Sequence, residues 1–167
     1  PTAIGLIDDH KNLLIMRSFS KAFGLAGIRV GYLLGNNEQI NYVSKTRPGY
    51  EINSVSIEVV SFFIERIYLV EEYIKQVKEG FEYLKNELTK MGLEYNGGNE
   101  GNFLYVDFKE KQACIQLLNR LRDKKIYIRG GWPSPYDTGL SISGAPKKVM
   151  EKFIKEFSKI YLNLSGK

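Results

Sequence analysis

The chain has 167 residues, 43% of them hydrophobic and 26% charged, the proportions of an ordinary soluble globular chain with room for about one domain of its own. A net charge of +5 invites a nucleic-acid reading. However, the lysines are scattered among glutamates, as between Glu71 and Lys90, in the manner of a solvated helix face, and no basic stripe interleaved with stacking aromatics accompanies them. Cys114 stands alone, which excludes an internal disulfide framework and fits a reducing cytoplasm. No apolar run reaches the roughly 20 residues that span a bilayer, and no signal-peptide pattern opens the chain, so neither nucleic acid nor membrane is expected as a partner.

In chain order, PTAIGLIDD at residues 1–9 reads as a short helix or turn, with Asp8, Asp9 and His10 at its exit. His10, the only histidine, has no partner pattern for metal or acid-base work and reads as a surface residue. The apolar run Leu13–Met16 predicts a strand buried on both faces, and Val30–Leu34 a second, the two closing one sheet. Between them runs SFSKAFGLAGIRVGY, which gathers the hydroxyls of Ser18 and Ser20, the amine of Lys21 and, eight residues on, the guanidinium of Arg29. The hydroxyls donate hydrogen bonds, and the planar guanidinium matches phosphate oxygens two at a time, so the set suits a phosphorylated ligand. A lysine beside a fixed guanidinium in a largely apolar cleft gives up its proton more readily, because desolvation and like charge both disfavour the ammonium. Its amine is then a nucleophile. Gly24, Gly27 and Gly31 let the backbone bend and pack closely.

Glu38–Thr46 reads as a short helix broken by Pro48 and Gly49. Asn53 or Ser54 is placed to cap the next helix, and Val55–Tyr68, apolar on more than one face, suggests a helix buried between domains or subunits. Ile74, Val77, Phe81, Leu84, Leu88 and Met91 alternate steps of three and four, which predicts a helix of about five turns that stops at Gly92. Asn102–Phe108 alternates like a strand. Gln112–Lys124 carries Cys114, Leu117, Leu118 and Leu121 on one helical face. Ile126–Arg129 and Leu140–Ser143 read as further strands, and Pro146 opens a final helix bearing Met150, Phe153, Phe157, Ile160 and Leu164.

The segment SFSKAFGLAGIRVGY resembles the Schiff-base lysine motif of fold-type I enzymes that use pyridoxal 5'-phosphate, specifically class I/II aminotransferases of the histidinol-phosphate aminotransferase type. The resemblance extends over nearly the whole chain. It implies an α/β fold, with the end of the large cofactor-binding domain over residues 1–68 and a long connector helix followed by an α+β small C-terminal domain over residues 69–167. Carried over by position, Lys21 would bond covalently to the cofactor, and Ser18, Ser20 and Arg29 would hold its phosphate. RPGYEINS, Arg47 to Ser54, resembles a segment entering the active-site mouth, which gives Asn53 a secondary role toward substrate beside its cap. Asn102-Phe103 and Arg129 in IYIRG also match; Arg129 is the candidate anchor for a substrate phosphate or carboxylate.

One position departs from the family. Where Leu-Arg-Ile-Ser or a close variant is usual, this chain has Leu140-Ser141-Ile142-Ser143. The missing arginine normally takes the α-carboxylate of an amino acid, and a serine cannot replace a bidentate charged contact. Losing such an anchor costs on the order of a few kcal/mol in a buried site. The substrate therefore lacks a carboxylate, is anchored by Arg129 or Lys147, or undergoes another reaction.

The resemblance implies a pyridoxal-phosphate-dependent aminotransferase of biosynthesis, cytoplasmic and homodimeric, moving an amino group between an amine or amino acid, phosphorylated or not, and a keto acceptor. The alternatives are decarboxylation of a phosphorylated amino acid on the same lysine, and a catalytically silent fragment that only dimerises. The chain reads as the C-terminal portion of a longer enzyme, inactive alone, because the partners for the cofactor's ring have no counterpart in it.

Overall fold

The computed structural model describes residues 2–165, except for the side chain of residue 165. Two compact units divide between Val70 and Glu71. The boundary falls inside a helix, and each unit has its own buried cluster.

In the first unit a 3₁₀ turn, Ile4–Leu6, precedes strand β1, Leu14–Ser18, which pairs antiparallel with β2, Gly31–Gly35. The register runs from Leu14 opposite Gly35 to Ser18 opposite Gly31. These strands are where the apolar runs predict them, but they are not buried on both faces: Met16 is 79% exposed, and Leu14, Tyr32 and Leu33 are exposed as well. Among the described residues only two strands make this sheet. Helix α1, Asn37–Ser44, starts at Asn36, whose carboxamide oxygen accepts from the N–H groups of Glu38 and Gln39. Helix α2, Ser54–Glu65, is capped by Asn53 and buries only Ser56 and Val60. Val55, Ile57, Phe62 and Ile64 stay exposed, so the burial expected from its apolar faces is not supplied within this unit.

Arg66 leaves helical geometry, and α3 then runs Ile67–Lys90, longer at its start than its apolar stripe predicts. It ends as Gly92 leads one to expect. That glycine takes φ +71, its N–H bonds to Thr89 O, and Leu93 N–H bonds to Leu88 O, so the last carbonyls are satisfied by a left-handed turn that only glycine adopts without cost.

The second unit builds a three-stranded antiparallel sheet from β3, Glu94–Gly97, β4, Phe103–Asp107, and β5, Gly139–Ser143, in that order. Helix α4, Lys111–Asp123, precedes β5, and α5, Lys147–Ser165, follows it. Alternation sorts the sheet's faces. Leu104, Val106, Leu140 and Ile142 are at most 2% exposed and meet Phe81, Leu84 and Leu88 of α3, Leu117 and Leu121 of α4, and Phe157 of α5 in one cluster. Phe103, Tyr105, Asp107, Ser141 and Ser143 point the other way and are exposed or half-buried. Gly80 lets α3 approach the turn before α5, because a Cβ there would run into the carbonyl oxygen of Ala145. Cys114 is buried in the cluster, and burial, with Asp107 and Asp137 adding to it, pushes its thiol up to about 11.

Strand β3 falls in LEYNGG, where four residues ending in paired glycines carry no strand pattern. Ile126–Arg129 is not a strand: only Arg129 bridges to β5, opposite Ser141. Lys125 at φ 59 and Gly131 at φ 74 bracket this segment with left-handed turns, and Tyr127 within it is exposed. No helix among the described residues is long and apolar enough to cross a membrane.

Candidate active site

The motif residues sit on the connection between β1 and β2. Phe19 N–H donates to Val30 O at 3.2 Å, which extends the strand register one step beyond Ser18 and Gly31. Ser20 and Arg29 flank this last pair, Ser20 following Phe19 and Arg29 preceding Val30. Ser18, Ser20 and Arg29 thus lie on the two arms of one loop, and Lys21 follows Ser20 directly.

What keeps them there is the residue between the serines. Phe19 is buried and packs edge-on against Phe23, with ring centroids 4.8 Å apart, and beside Val30 and Val60, while Leu25 and Ile28 close around this cluster. Burying one ring in the middle of Ser18-Phe19-Ser20-Lys21 turns its polar neighbours outward. Ser18 and Lys21 are exposed, and Ser20 is half-buried. Ser20 N–H donates to Ser18 Oγ at 3.0 Å, an interaction that shapes the turn and leaves the Ser18 hydroxyl its own proton to donate. Gly31 is required by close approach: a Cβ there would stand 2.6 Å from Arg17 O.

Arg29 takes φ 56 and ψ 41, left-handed geometry that is unusual for a residue with a side chain. Its guanidinium spends one donor on Ala26 O at 3.0 Å and keeps the rest outward. The preceding residue is tied to α2, since Ser56 Oγ donates to Ile28 O at 3.1 Å and Ser56 N–H donates to Asn53 Oδ1 at 2.8 Å. Asn53 is therefore the helix cap, and through buried Ser56 it acts on the backbone that presents Arg29. Ser56 was missed in the sequence; an Asn-x-x-Ser spacing at a helix start was the available signal. The apolar cleft expected around Lys21 is not built by this chain, in which Lys21 and Arg29 are both exposed.

The other candidate residues lie in the second unit. Arg129 and Ser141 exchange both backbone hydrogen bonds, Arg129 N–H to Ser141 O at 3.2 Å and Ser141 N–H to Arg129 O at 2.7 Å. The departure at position 141 and the candidate anchor at 129 are thus direct cross-strand neighbours, whose side chains leave the sheet on one face. A groove of about 790 Å³ at this edge is lined by both residues together with Ile128, Ile142, Val149 and Lys152. Lys147, the other cation considered, is exposed at the start of α5, with its Nζ 5.8 Å from the Tyr83 ring centroid.

As a donor set, Ser18, Ser20 and Arg29 fit a phosphate group: two hydroxyls and a fork with free N–H groups, held outward by a buried ring. Lys21 beside them supplies an amine that can bond to an aldehyde. The residues present fit pyridoxal 5'-phosphate at its phosphate and aldehyde ends.

The profile of the family described as "Aminotransferase class I and II" matches residues 1–157. The chain is 38% identical over 100 residues to a histidinol-phosphate aminotransferase of Pyrococcus furiosus, covering 60% of this chain and 28% of that protein. With another from Thermotoga neapolitana it shares 28% identity over 153 residues, 92% of this chain and 44% of the relative. The chain thus spans less than half the length of these relatives. In fold it resembles the crystal structure of histidinol-phosphate aminotransferase from Sinorhizobium meliloti in complex with pyridoxal-5'-phosphate, with a TM-score of 0.85 at 24% identity over 96% of this chain and 44% of that one. With its lysine loop, its α/β first unit and its antiparallel second unit, the chain belongs to the class I and II aminotransferases.

Proposed function

We propose that the protein of which this chain is part is a pyridoxal-phosphate-dependent aminotransferase of the histidinol-phosphate aminotransferase type, with Lys21 as its catalytic residue. The observation that supports this reading is the buried Phe19 between the outward-turned Ser18, Ser20 and Lys21, bonded through its N–H to Val30, the residue after Arg29. Residues 1–68 correspond to the end of the cofactor-binding domain, and residues 69–167 to the connector helix and small domain. Ser18, Ser20 and Arg29 bind the cofactor phosphate, and Lys21 Nζ is the nucleophile that holds its aldehyde carbon. When bound, the cofactor supplies an electron sink for the substrate's α-carbon. Lys21 Nζ would serve the substrate as general base and then general acid, holding and returning one proton. Arg29 and the serines keep the phosphate in place meanwhile, so the lysine stays in register with the reacting carbon.

Arg129 is the substrate's anion anchor, and Asn53 acts on the site through Ser56. Ser141 leaves no second arginine on this sheet face, which favours a substrate without an α-carboxylate, or one held by Arg129 alone. The substrate is a small amine or amino acid, the assembly a homodimer and the setting the cytoplasm.

Borohydride reduction of the chain incubated with pyridoxal phosphate tests the assignment. A pyridoxyl adduct is expected on the peptide containing Lys21 and should be absent from Lys21→Ala. An adduct distributed over surface lysines and unchanged in Lys21→Ala refutes it. Formation of a keto product from amino donors with 2-oxoglutarate then distinguishes transfer from decarboxylation, which would release carbon dioxide without it.

A further inference from the structure

Asn96-Gly97 is the one place in the sequence where a glycine follows an asparagine. It stands at the end of β3, where the chain turns back toward β4. Asparagine is chemically labile because the backbone nitrogen of the next residue can attack its Cγ. Three features govern that attack: a free carboxamide, a free N–H on the next residue, and no side chain there to shield it.

The carboxamide is free. Asn96 is exposed, and among the described residues its side chain has no hydrogen-bond partner. The state of the nitrogen follows from the ladder. Gly98 N–H donates to Phe103 O at 3.0 Å, and bonded and unbonded pairs alternate along antiparallel strands. Asn96 and Tyr105 are therefore a bonded pair, whereas Gly97, opposite Leu104, turns its N–H away from β4. Because β3 is the edge of its sheet, no strand among the described residues lies on that side to accept it. Gly97 has no side chain to shield its nitrogen, and with φ 93, followed by Gly98 with φ 73, it lies where the backbone turns most freely. What opposes the attack is the Asn96–Tyr105 pair, and opening the end of a short edge strand is among the least costly motions of a sheet.

We propose that Asn96 is a site of spontaneous deamidation in the folded protein. The Gly97 nitrogen bonds to Asn96 Cγ as the carboxamide C–N bond breaks, and the Gly97 proton leaves with the departing nitrogen as ammonia. A cyclic imide results. Water then opens the imide at either carbonyl to give aspartate or isoaspartate, with nothing oxidised or reduced. Either product puts a carboxylate at position 96, in the lining of a groove of about 540 Å³ that already includes Asp107. Isoaspartate also lengthens the backbone by a methylene group, which takes β3 out of register with β4.

The test holds the full-length protein, folded, in mildly alkaline buffer at physiological temperature. Peptide mapping by mass spectrometry should show the amide-to-acid mass gain at Asn96 ahead of every other asparagine. Isoelectric focusing should show an acidic species that Asn96→Gln lacks, since glutamine must close a larger ring. Amide exchange followed by NMR should be roughly tenfold or more faster at Gly97 than at Gly98. Asn96 left intact over a period in which the urea-unfolded chain is converted overturns the proposal. Conversion at Asn96 no faster than at asparagines followed by larger residues, or a Gly97 amide as protected as that of Gly98, overturns it as well. None of these results depends on the Lys21 adduct, so the two readings fail separately.

Discussion

Replacing Phe19 by alanine tests whether one buried ring holds the cofactor loop in shape. Phe19 is 7% exposed and is one of three buried residues in its cluster, with Val30 and Val60. Truncating a buried phenylalanine to alanine costs about 3–5 kcal/mol. So small a cluster collapses into the space more readily than a large core, which puts the cost near the lower end, at about 3 kcal/mol. At 1.36 kcal/mol per factor of ten, that is roughly a hundredfold shift in the opening equilibrium. Hydrogen exchange followed by mass spectrometry reads this by segment. Peptides covering residues 14–35 should exchange roughly a hundredfold faster in Phe19→Ala, whereas those covering Phe103–Asp107 and Gly139–Ser143 should be unchanged, because every packing partner of Phe19 described above lies in the first unit. The yield of pyridoxyl adduct on Lys21 should fall with it. Unchanged protection over residues 14–35 would refute the idea that Phe19 organises the loop.

Two further outcomes follow from the second unit. Gly80→Ala should lower the urea midpoint by an amount equivalent to about 1–3 kcal/mol, since the new methyl group meets backbone at Ala145 O. That outweighs the gain of about 1 kcal/mol in helix propensity, and a stabilised variant would contradict the close approach. For Asp107, burial pushes the carboxyl up, but the Lys109 N–H, the Thr138 hydroxyl and the Lys109 ammonium together pull it further down, so it lies below its ordinary value. A carboxylate depressed in the folded state stabilises the fold above its unfolded pKa, and that contribution is lost as pH falls through the folded value. The stability difference between the parent and Asp107→Asn should therefore be full at pH 7 and shrink below about pH 4. A difference independent of pH would show that the carboxylate's charge is not what matters.

Much of this was legible before any coordinates. A 3.6-residue period is an intrinsic property of a helix with one buried side, so the stripe of Phe81, Leu84 and Leu88 announced both the helix and the face that is buried. Gly92 announced its end, because the left-handed turn there admits glycine at no cost. Asn53 was legible as a cap on local chemistry alone. Strand β3 was not, since four residues ending in glycines carry too little pattern, and a strand is stabilised by a partner distant in sequence.

At the site the division is similar. Residue identity alone says which functional groups the loop carries, two hydroxyls, an amine and a guanidinium. How they are presented comes from packing. Apolar composition cannot say what covers a strand, and β1 and β2 prove exposed within this chain, with one ring beneath the loop rather than a cleft around it. Likewise, Arg129, Trp132 and Ser141 are unremarkable as a list. Cross-strand pairing and ring stacking are contacts that a one-dimensional pattern does not relate, and they set Arg129 opposite Ser141 and over the Trp132 ring.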